Sequence, residues 1–212
     1  MKKSFYFYSL LVMFLSSFLF VTGNVAEAAE LKTINYTVQA GDTLYSVSQK
    51  FQVIKQEITD VNPELQTNST LYAGQIIKIP DLAYEKSLEK EVVRLTNVER
   101  AKVGLSALTY DWELSGVARY KSKDMRDLSY ISHYSPTYGD PFIMMKDFGI
   151  SFTKAGENVA AKQDTPEKVV SNFMGSESHR DNILNPAFTR IGVGYAQGGL
   201  LTHWWTQLFI TP

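Results

Sequence analysis

Three patterns of apolar and polar positions follow one another along the chain. The first is a largely apolar run from Phe5 to Val21, preceded by Lys2 and Lys3 and followed by Ala26-Glu27-Ala28. A basic start, an apolar stretch and a small-residue end describe a secretory signal peptide over residues 1–28, with cleavage expected before Ala29. The alternative is an uncleaved anchor, because the run is nearly long enough to span a bilayer. After Val21 no apolar stretch reaches that length, so no membrane span is expected after cleavage.

The second pattern occupies residues 34–80. Asn35 to Gln39 has strand composition and meets a Gly41-Asp42 turn. Asp42 or Thr43 can cap a helix whose apolar face is Leu44, Val47 and Phe51. A second short helix carries Ile58 and Val61 and stops at Asn62-Pro63, since proline disfavours helical geometry in the residue before it. After a polar loop, Gly74 turns the chain into a strand from Gln75 to Pro80. The expectation is strand, helix, helix, strand.

The third pattern covers residues 84–212. Leu88, Val92, Leu95 and Val98 give a first helix an apolar stripe, and Gly104 is placed to stop it. Asp111 can cap a helix with Leu114, Val117, Ala118, Lys121 and Met125 on related faces. Thr165-Pro166-Glu167 is a helix start, with Val169, Val170, Phe173 and Met174 as its buried side. Arg190 to Ala196 and Leu200 to Ile210 are β-rich runs around Gly198-Gly199, a hairpin pattern. Within the second run His203 shares a face with Trp205, Gln207 and Phe209, and reads as a sheet-surface or packing residue and not a ligand. Helices early and paired strands late make the whole an α+β protein.

Composition narrows the chemistry. The chain has no cysteine, which removes thiol nucleophiles, thiolate metal sites and disulfides. Its formal net charge is −1, so no basic surface points to nucleic acid. Two of its three histidines stand in polar clusters, His133 in Ser132-His133-Tyr134-Ser135 and His179 in Ser176-Glu177-Ser178-His179-Arg180-Asp181-Asn182. Between them lies Gly156-Glu157-Asn158. Imidazole and carboxylate bind divalent metals and move protons near neutral pH.

Residues 34–80 resemble the LysM module. The matching segments are Tyr36-Thr37-Val38-Gln39-Ala40-Gly41-Asp42-Thr43-Leu44-Tyr45-Ser46-Val47, Val61-Asn62-Pro63 and Leu71 to Pro80, in that order. The resemblance implies a small βααβ fold that binds peptidoglycan or another N-acetylglucosamine glycan. Carried over by position, its groove is formed by Gly41, Asp42, Thr43 and Leu44 together with Leu71, Tyr72, Ala73 and Gly74. Backbone amides in tight loops can meet acetamido groups while apolar side chains meet sugar faces.

Residues 84–212 are similar to the bacterial branch of the CAP (SCP-like) superfamily. The similarity rests on Asn97-x-x-Arg100, Tyr134-Ser135-Pro136, Gly156-Glu157-Asn158-Val159-Ala160, His179 to Pro186, Ile191-Gly192-Val193-Gly194-Tyr195 and Trp205-Thr206-Gln207-x-Phe209, in sequence. Phe173 and Ser178 depart from the tryptophan and glycine common in bacterial relatives. The resemblance implies an α-β-α sandwich with a cleft holding two histidines and two acids, in several members around a divalent cation, often zinc. His133, Glu157 and His179 match three positions; for the fourth, Glu177 is the nearest carboxylate, and Ser176 could equally occupy the place. A signal peptide, one LysM and one CAP domain resemble secreted proteins of spore-forming Gram-positive bacteria.

Two functions follow as expectations. One is an exported cell-wall or spore-envelope protein, held on peptidoglycan by LysM, whose CAP cleft binds a cation and a further ligand, with no organic cofactor. The other is a metal-dependent hydrolase of wall glycan or peptide, with Glu157 and His179 as catalytic candidates. The chain has neither G-x-S-x-G nor H-E-x-x-H, and Ser176 and Ser178 beside His179 give only weak support for a serine hydrolase.

Overall fold

The computed structural model describes residues 32–212; the expected signal segment lies outside the described residues. No described helix is long and apolar enough to cross a membrane.

The first module is β1 (Thr33–Thr37), α1 (Leu44–Phe51), α2 (Lys55–Asp60) and β2 (Ile76–Pro80). The two strands pair antiparallel, from Thr33 opposite Pro80 to Thr37 opposite Ile76. β1 ends before Gln39, where its pattern had placed it, because the Asp42 carboxylate takes the Gln39 N–H at 2.8 Å and folds the chain into the turn. Thr43, not Asp42, caps α1, in a reciprocal capping box with Ser46. Asn62 explains the Asn62-Pro63 stop more fully than proline alone. Its side chain donates to the Ile58 and Lys78 carbonyls at 2.7 Å and accepts from the Lys78 N–H at 2.8 Å, tying α2 to β2. Leu44, Val47, Ile58, Ile77 and Ile79 close the small core.

The rest of the chain is α3 (Ala83–Lys102), β3 (Thr109–Tyr110), α4 (Trp112–Asp127), α5 (Pro141–Asp147), β4 (Lys154–Ala161), α6 (Pro166–Gly175), α7 (Glu177–Ile183), β5 (Arg190–Gln197) and β6 (His203–Thr211). The sheet runs β3-β5-β6-β4, with β5 and β6 forming the expected hairpin. Alternation along the strands feeds two cores. Ile191, Val193, Tyr195, Trp205 and Phe209 face α3, α6 and α7, while Leu208 and Ile210 face α4 and Trp204 packs with Met125. Adjacent Trp204 and Trp205 are therefore both buried, one in each layer. The glycines of Ile191-Gly192-Val193-Gly194 let α4 lie directly on β5. A Cβ at Gly192 or Gly194 would stand 2.4 or 2.1 Å from the α4 backbone. Arg100 closes the other side, donating to the Ile183 and Asn185 carbonyls at 2.7 and 2.9 Å. Of the two readings for His203, packing holds: its ring is stacked on Tyr195 with 2.7 Å between Nδ1 and the phenol oxygen.

The first module is not a loosely tethered bead. Only Asp81 and Leu82 separate β2 from α3, and the described residues cluster as one unit. Arg119 of α4 lies at the junction, its Nε and Nη2 on the Glu57 carboxylate of α2 at 2.7 and 3.0 Å, and its Nη1 on Glu89 of α3 at 2.7 Å. All three side chains are essentially inaccessible. Glu57 also accepts the Ile54 N–H, and Glu89 the Tyr195 N–H. Ile54 packs over Gly116, where a Cβ would come within 2.4 Å of its side chain. Lys86 donates to the Phe51 carbonyl at 2.7 Å. Burial raises Glu57, but the adjoining Arg119 outweighs it and leaves the carboxyl below its ordinary range. Burial dominates at Glu89, pushing it up to about 7. Nothing in the sequence marks these three charges as internal.

Candidate functional site

β4 is one of the sheet's two edge strands, and the polar cluster forms along its free side. Glu157 and Asn158 are neighbours on this strand, so their side chains leave on opposite faces. Glu157 points toward α4 and the loop after it, and Asn158 toward α7. The two histidines reach the edge from those two directions.

The loop that carries His133 is held by charges on α4. Asp124 accepts from the hydroxyls of Tyr130, Ser135 (2.7 Å) and Thr137 (2.5 Å). One turn earlier, Lys121 donates to the His133 carbonyl and the Tyr130 hydroxyl, both at 3.1 Å. Lys121 is only 1% exposed, so this ammonium is committed to the site and not to solvent. His133 then presents Nδ1 to Glu157 Oε1 at 2.7 Å. The pair is asymmetric: the imidazole is half open to solvent, while the carboxylate is almost fully enclosed.

His179 is set by an amide relay. Gln207 donates to Thr96 and accepts from Asn158, whose amide also donates to the His179 carbonyl at 3.0 Å. Asn182 closes the circuit, donating to Asn158 Oδ1 at 2.8 Å and to the Glu157 carbonyl at 3.1 Å. Gly156 leaves room for Asn182, whose oxygen would be 2.8 Å from a Cβ there. The His179 ring meets Phe173 edge-on.

Two buried polar atoms in the cluster have no partner, Glu157 Oε2 and His179 Nδ1. Buried polar groups are ordinarily satisfied, so an unpaired carboxylate oxygen and ring nitrogen on one cluster mark it as receptive. The electrostatics separate the two imidazoles. The hydrogen bond that the His133 ring donates to the Glu157 carboxylate raises His133, whereas burial and the nearby His133 lower His179. Burial raises Glu157, with His133 and Lys121 acting against it. One imidazole favours its cation and the other its neutral, lone-pair form.

The loops of the first module also meet. Gly41 and Gly74 both adopt left-handed backbone, φ +87° and +85°, as their turns require. The Val38 N–H donates to the Gln75 carbonyl and the Gly74 N–H to the Val38 carbonyl, each at 2.9 Å, which lays the two turns side by side. Asp42 is drawn into the turn by the Tyr36 hydroxyl at 2.6 Å, and that bond holds its carboxyl below the usual range. Thr43 is engaged in capping, Leu44 and Leu71 are buried, and Tyr72 and Ala73 are open to solvent.

The profile of the CAP, or cysteine-rich secretory protein, family matches residues 93–209, and that of the LysM domain matches residues 36–80. The chain belongs to the CAP family. It also carries a LysM domain at the position its sequence indicated. Over 145 residues, 68% of this chain, it is 60% identical to the uncharacterized protein YkwD of Bacillus subtilis. It is 34% identical to the uncharacterized membrane protein YlbC of the same organism over 146 residues. The chain spans about half the length of these relatives, 52% of the first and 41% of the second. An extracellular SCP-domain protein from Bacillus anthracis is similar in structure, with a TM-score of 0.56 at 32% identity, covering 66% of this chain and 47% of that one. An outer surface protein of Borrelia burgdorferi shares the fold, with a TM-score of 0.53 at 21% identity, over 57% of this chain and 90% of that one.

Within the CAP domain, His133 and Glu157 are in contact, and His179 stands close enough for His133 to depress its basicity. Glu177 is exposed at the start of α7 and makes no hydrogen bond or ion pair with the other three. Among the described residues no three His, Cys, Asp or Glu side chains are gathered as a ready metal cage. Sequence reading missed Lys121, Asp124 and Asn182. Lys121 stood on the apolar face of α4, where a lysine is out of place unless paired, and that was the available signal.

Proposed function

We propose that this is an exported wall-associated protein, of the cell wall or spore envelope, that binds peptidoglycan glycan through the paired LysM turns and presents the CAP cleft as a second binding site. The observation that carries the first part is the apposition of the Gly41 and Gly74 turns in a matched LysM domain. The exposed Tyr72 ring beside these turns suits a sugar face.

For the cleft, the donor chemistry fits a divalent cation, zinc among the candidates. His133 has one ring nitrogen on a carboxylate, the arrangement that orients metal-binding imidazoles, and His179 is biased to its neutral form. His133 and His179 would hold the ion, Glu157 would orient His133 and offer Oε2, and water would complete the set. A bound cation there would polarise water or a carbonyl. A metal-dependent hydrolase of wall glycan or peptide is the second reading, favoured by the enclosed, upshifted Glu157 carboxyl, a suitable proton donor or acceptor.

Residues 29–212 mixed with insoluble peptidoglycan test both. The expected outcome is co-sedimentation that Tyr72→Ala weakens, with no soluble fragments released. Wild-type protein that stays in the supernatant refutes the anchoring reading. Fragments that disappear with Glu157→Gln establish the hydrolase instead. Metal content after dialysis, wild type against His133→Ala and His179→Ala, tests the cation independently of activity.

A further inference from the structure

Three consecutive residues of α4 connect the LysM domain with the polar cleft. Arg119 holds Glu57 of α2 and Glu89 of α3, Tyr120 donates its hydroxyl to Asp60 of α2 at 2.5 Å, and Lys121 donates to the His133 carbonyl. Successive side chains of an α-helix diverge by about 100°, so one short stretch can meet three different partners. Glu57 and Asp60 are three residues apart on α2, which puts both on the face turned to α4. Arg119 and its acids join the domains, and Lys121 holds the His133 backbone. The bond from Tyr120 to Asp60 does something else.

Tyr120 is one of three mutually touching aromatic rings. Its centroid lies 5.1 Å from that of Phe148 and 6.4 Å from that of Tyr138, and those two are 5.7 Å apart, all in edge or tilted contact. Tyr138 belongs to the turn that follows His133. There Ser135 and Gly139 exchange backbone hydrogen bonds at 2.8 Å, and the Ser135 hydroxyl accepts the N–H groups of Thr137 and Tyr138 at 3.0 and 2.8 Å. The turn is thus tied to itself, and His133 stands two residues before it. Asp124 and Lys121 fasten this loop to α4 through polar bonds; Tyr138 against Tyr120 is its aromatic contact with the same helix. A phenol bonded to a carboxylate keeps its ring in one orientation, because that charge-assisted bond is directional. The orientation of the Tyr120 ring, against which Tyr138 packs, is therefore set from the LysM domain.

We propose that Asp60 of the LysM domain is a positioning residue for the CAP cleft. By fixing the Tyr120 ring it sets Tyr138 and the turn of residues 135–139, and so the placement of the His133 imidazole on Glu157. The LysM domain is then part of the construction of the cleft as well as its anchor. The positioning holds whatever the cleft binds, and its consequence for a cation rests on the reading of the cleft as a cation site.

Nitrogen-15 NMR of metal-free residues 29–212 at one fixed pH tests the positioning, read at the His133 Nδ1 that faces Glu157. Tyr120→Phe and Asp60→Ala are expected to shift this signal. Asp60→Asn keeps an acceptor oxygen for the phenol and is expected to restore it. The double variant should go no further than either single one, since both remove the same bond. His203, whose Nδ1 faces the Tyr195 hydroxyl, is the internal reference. Lys86→Met removes a different interdomain bond, to the Phe51 carbonyl, and should leave His133 unmoved. Calorimetric titration with zinc alone gives the consequence: Tyr120→Phe and Asp60→Ala should raise Kd about fivefold, the low end of a coupling between sites, as suits a single hydrogen bond. A His133 signal equal to wild type in both variants overturns the positioning role and leaves the cation reading standing. A shift in Lys86→Met as large as in Asp60→Ala overturns it as well, because general loosening of the junction then explains both. Absence of zinc binding by wild type overturns the cation reading, and the metal-free spectra still decide the role of Asp60.

Discussion

Arg119→Met isolates the charge that joins the two domains. The guanidinium is fully buried and is the counter-ion of two carboxylates, Glu57 and Glu89, that are equally inaccessible. Methionine occupies a similar unbranched volume, so the dominant loss is electrostatic and not a cavity. Two buried acids then face one another with no cation between them. Removing one member of a buried ion pair costs about 3–5 kcal/mol. For a chain of this length each kcal/mol moves the midpoint by about 2–4 °C, so Tm is expected to fall by about 6–20 °C. Thermal unfolding followed by far-ultraviolet circular dichroism reads the whole chain. Tryptophan fluorescence reads the CAP domain, because Trp112, Trp204 and Trp205 all lie there. Arg94→Met is the control, since its pair with Glu91 is exposed, solvent-screened and contributes little to stability. An Arg119→Met variant that melts no lower than Arg94→Met would refute the claim that the triad locks the domains.

Two further outcomes follow from the same packing. Glu89 is pushed up to about 7 by burial, so its contribution is full below the ordinary carboxylate range and is lost as pH rises through that value. Urea unfolding should therefore show stability falling by about 3 kcal/mol between about pH 4.5 and 7. Glu57, held low, acts with the opposite sign and in a more acidic window. Glu89→Gln should flatten the decline, and an unchanged slope would refute the assignment. Gly194→Ala places a methyl 2.1 Å from the α4 backbone and should cost at least about 3 kcal/mol by chemical denaturation, since neither partner can yield. Gly175→Ala, with nothing within 4 Å, should be neutral or stabilising by up to about 1 kcal/mol.

Local rules written into short segments could be read without a structure. Thr43, Asp111 and Thr165 cap their helices because a side-chain oxygen must meet free N–H groups within the next turn. The alternation from Ile191 to Tyr195 and around Trp205 follows from the period of a strand, which put His203 on the face of Trp205, while its contact with Tyr195 came from the structure. The motif residues located His133, Glu157 and His179. Their separation along the chain could not reveal that His133 binds Glu157 while His179 is positioned through Asn158 and Asn182 on the other face of β4. Glu177, two residues before His179 in the motif, is exposed at the start of α7.

The sequence by itself determined the elements of the first module, helices α3, α4 and α6, the β5–β6 hairpin and the family, because capping, periodicity and turn chemistry are interactions between residues close in the chain, whereas β3, α5, β4 and α7 were not legible in it. Only the tertiary structure decided which charges are internal. Of four internal charges, Glu57, Glu89 and Arg119 carry no mark of burial in the sequence, and only Lys121, on the apolar face of α4, gave a signal. Each is buried because a partner from a distant segment meets it: Glu57 and Arg119 are 62 residues apart, and Glu89 and Arg119 are 30. A charge leaves water only when a counter-charge or hydrogen bond replaces the solvent, and that replacement exists only once the chain has folded.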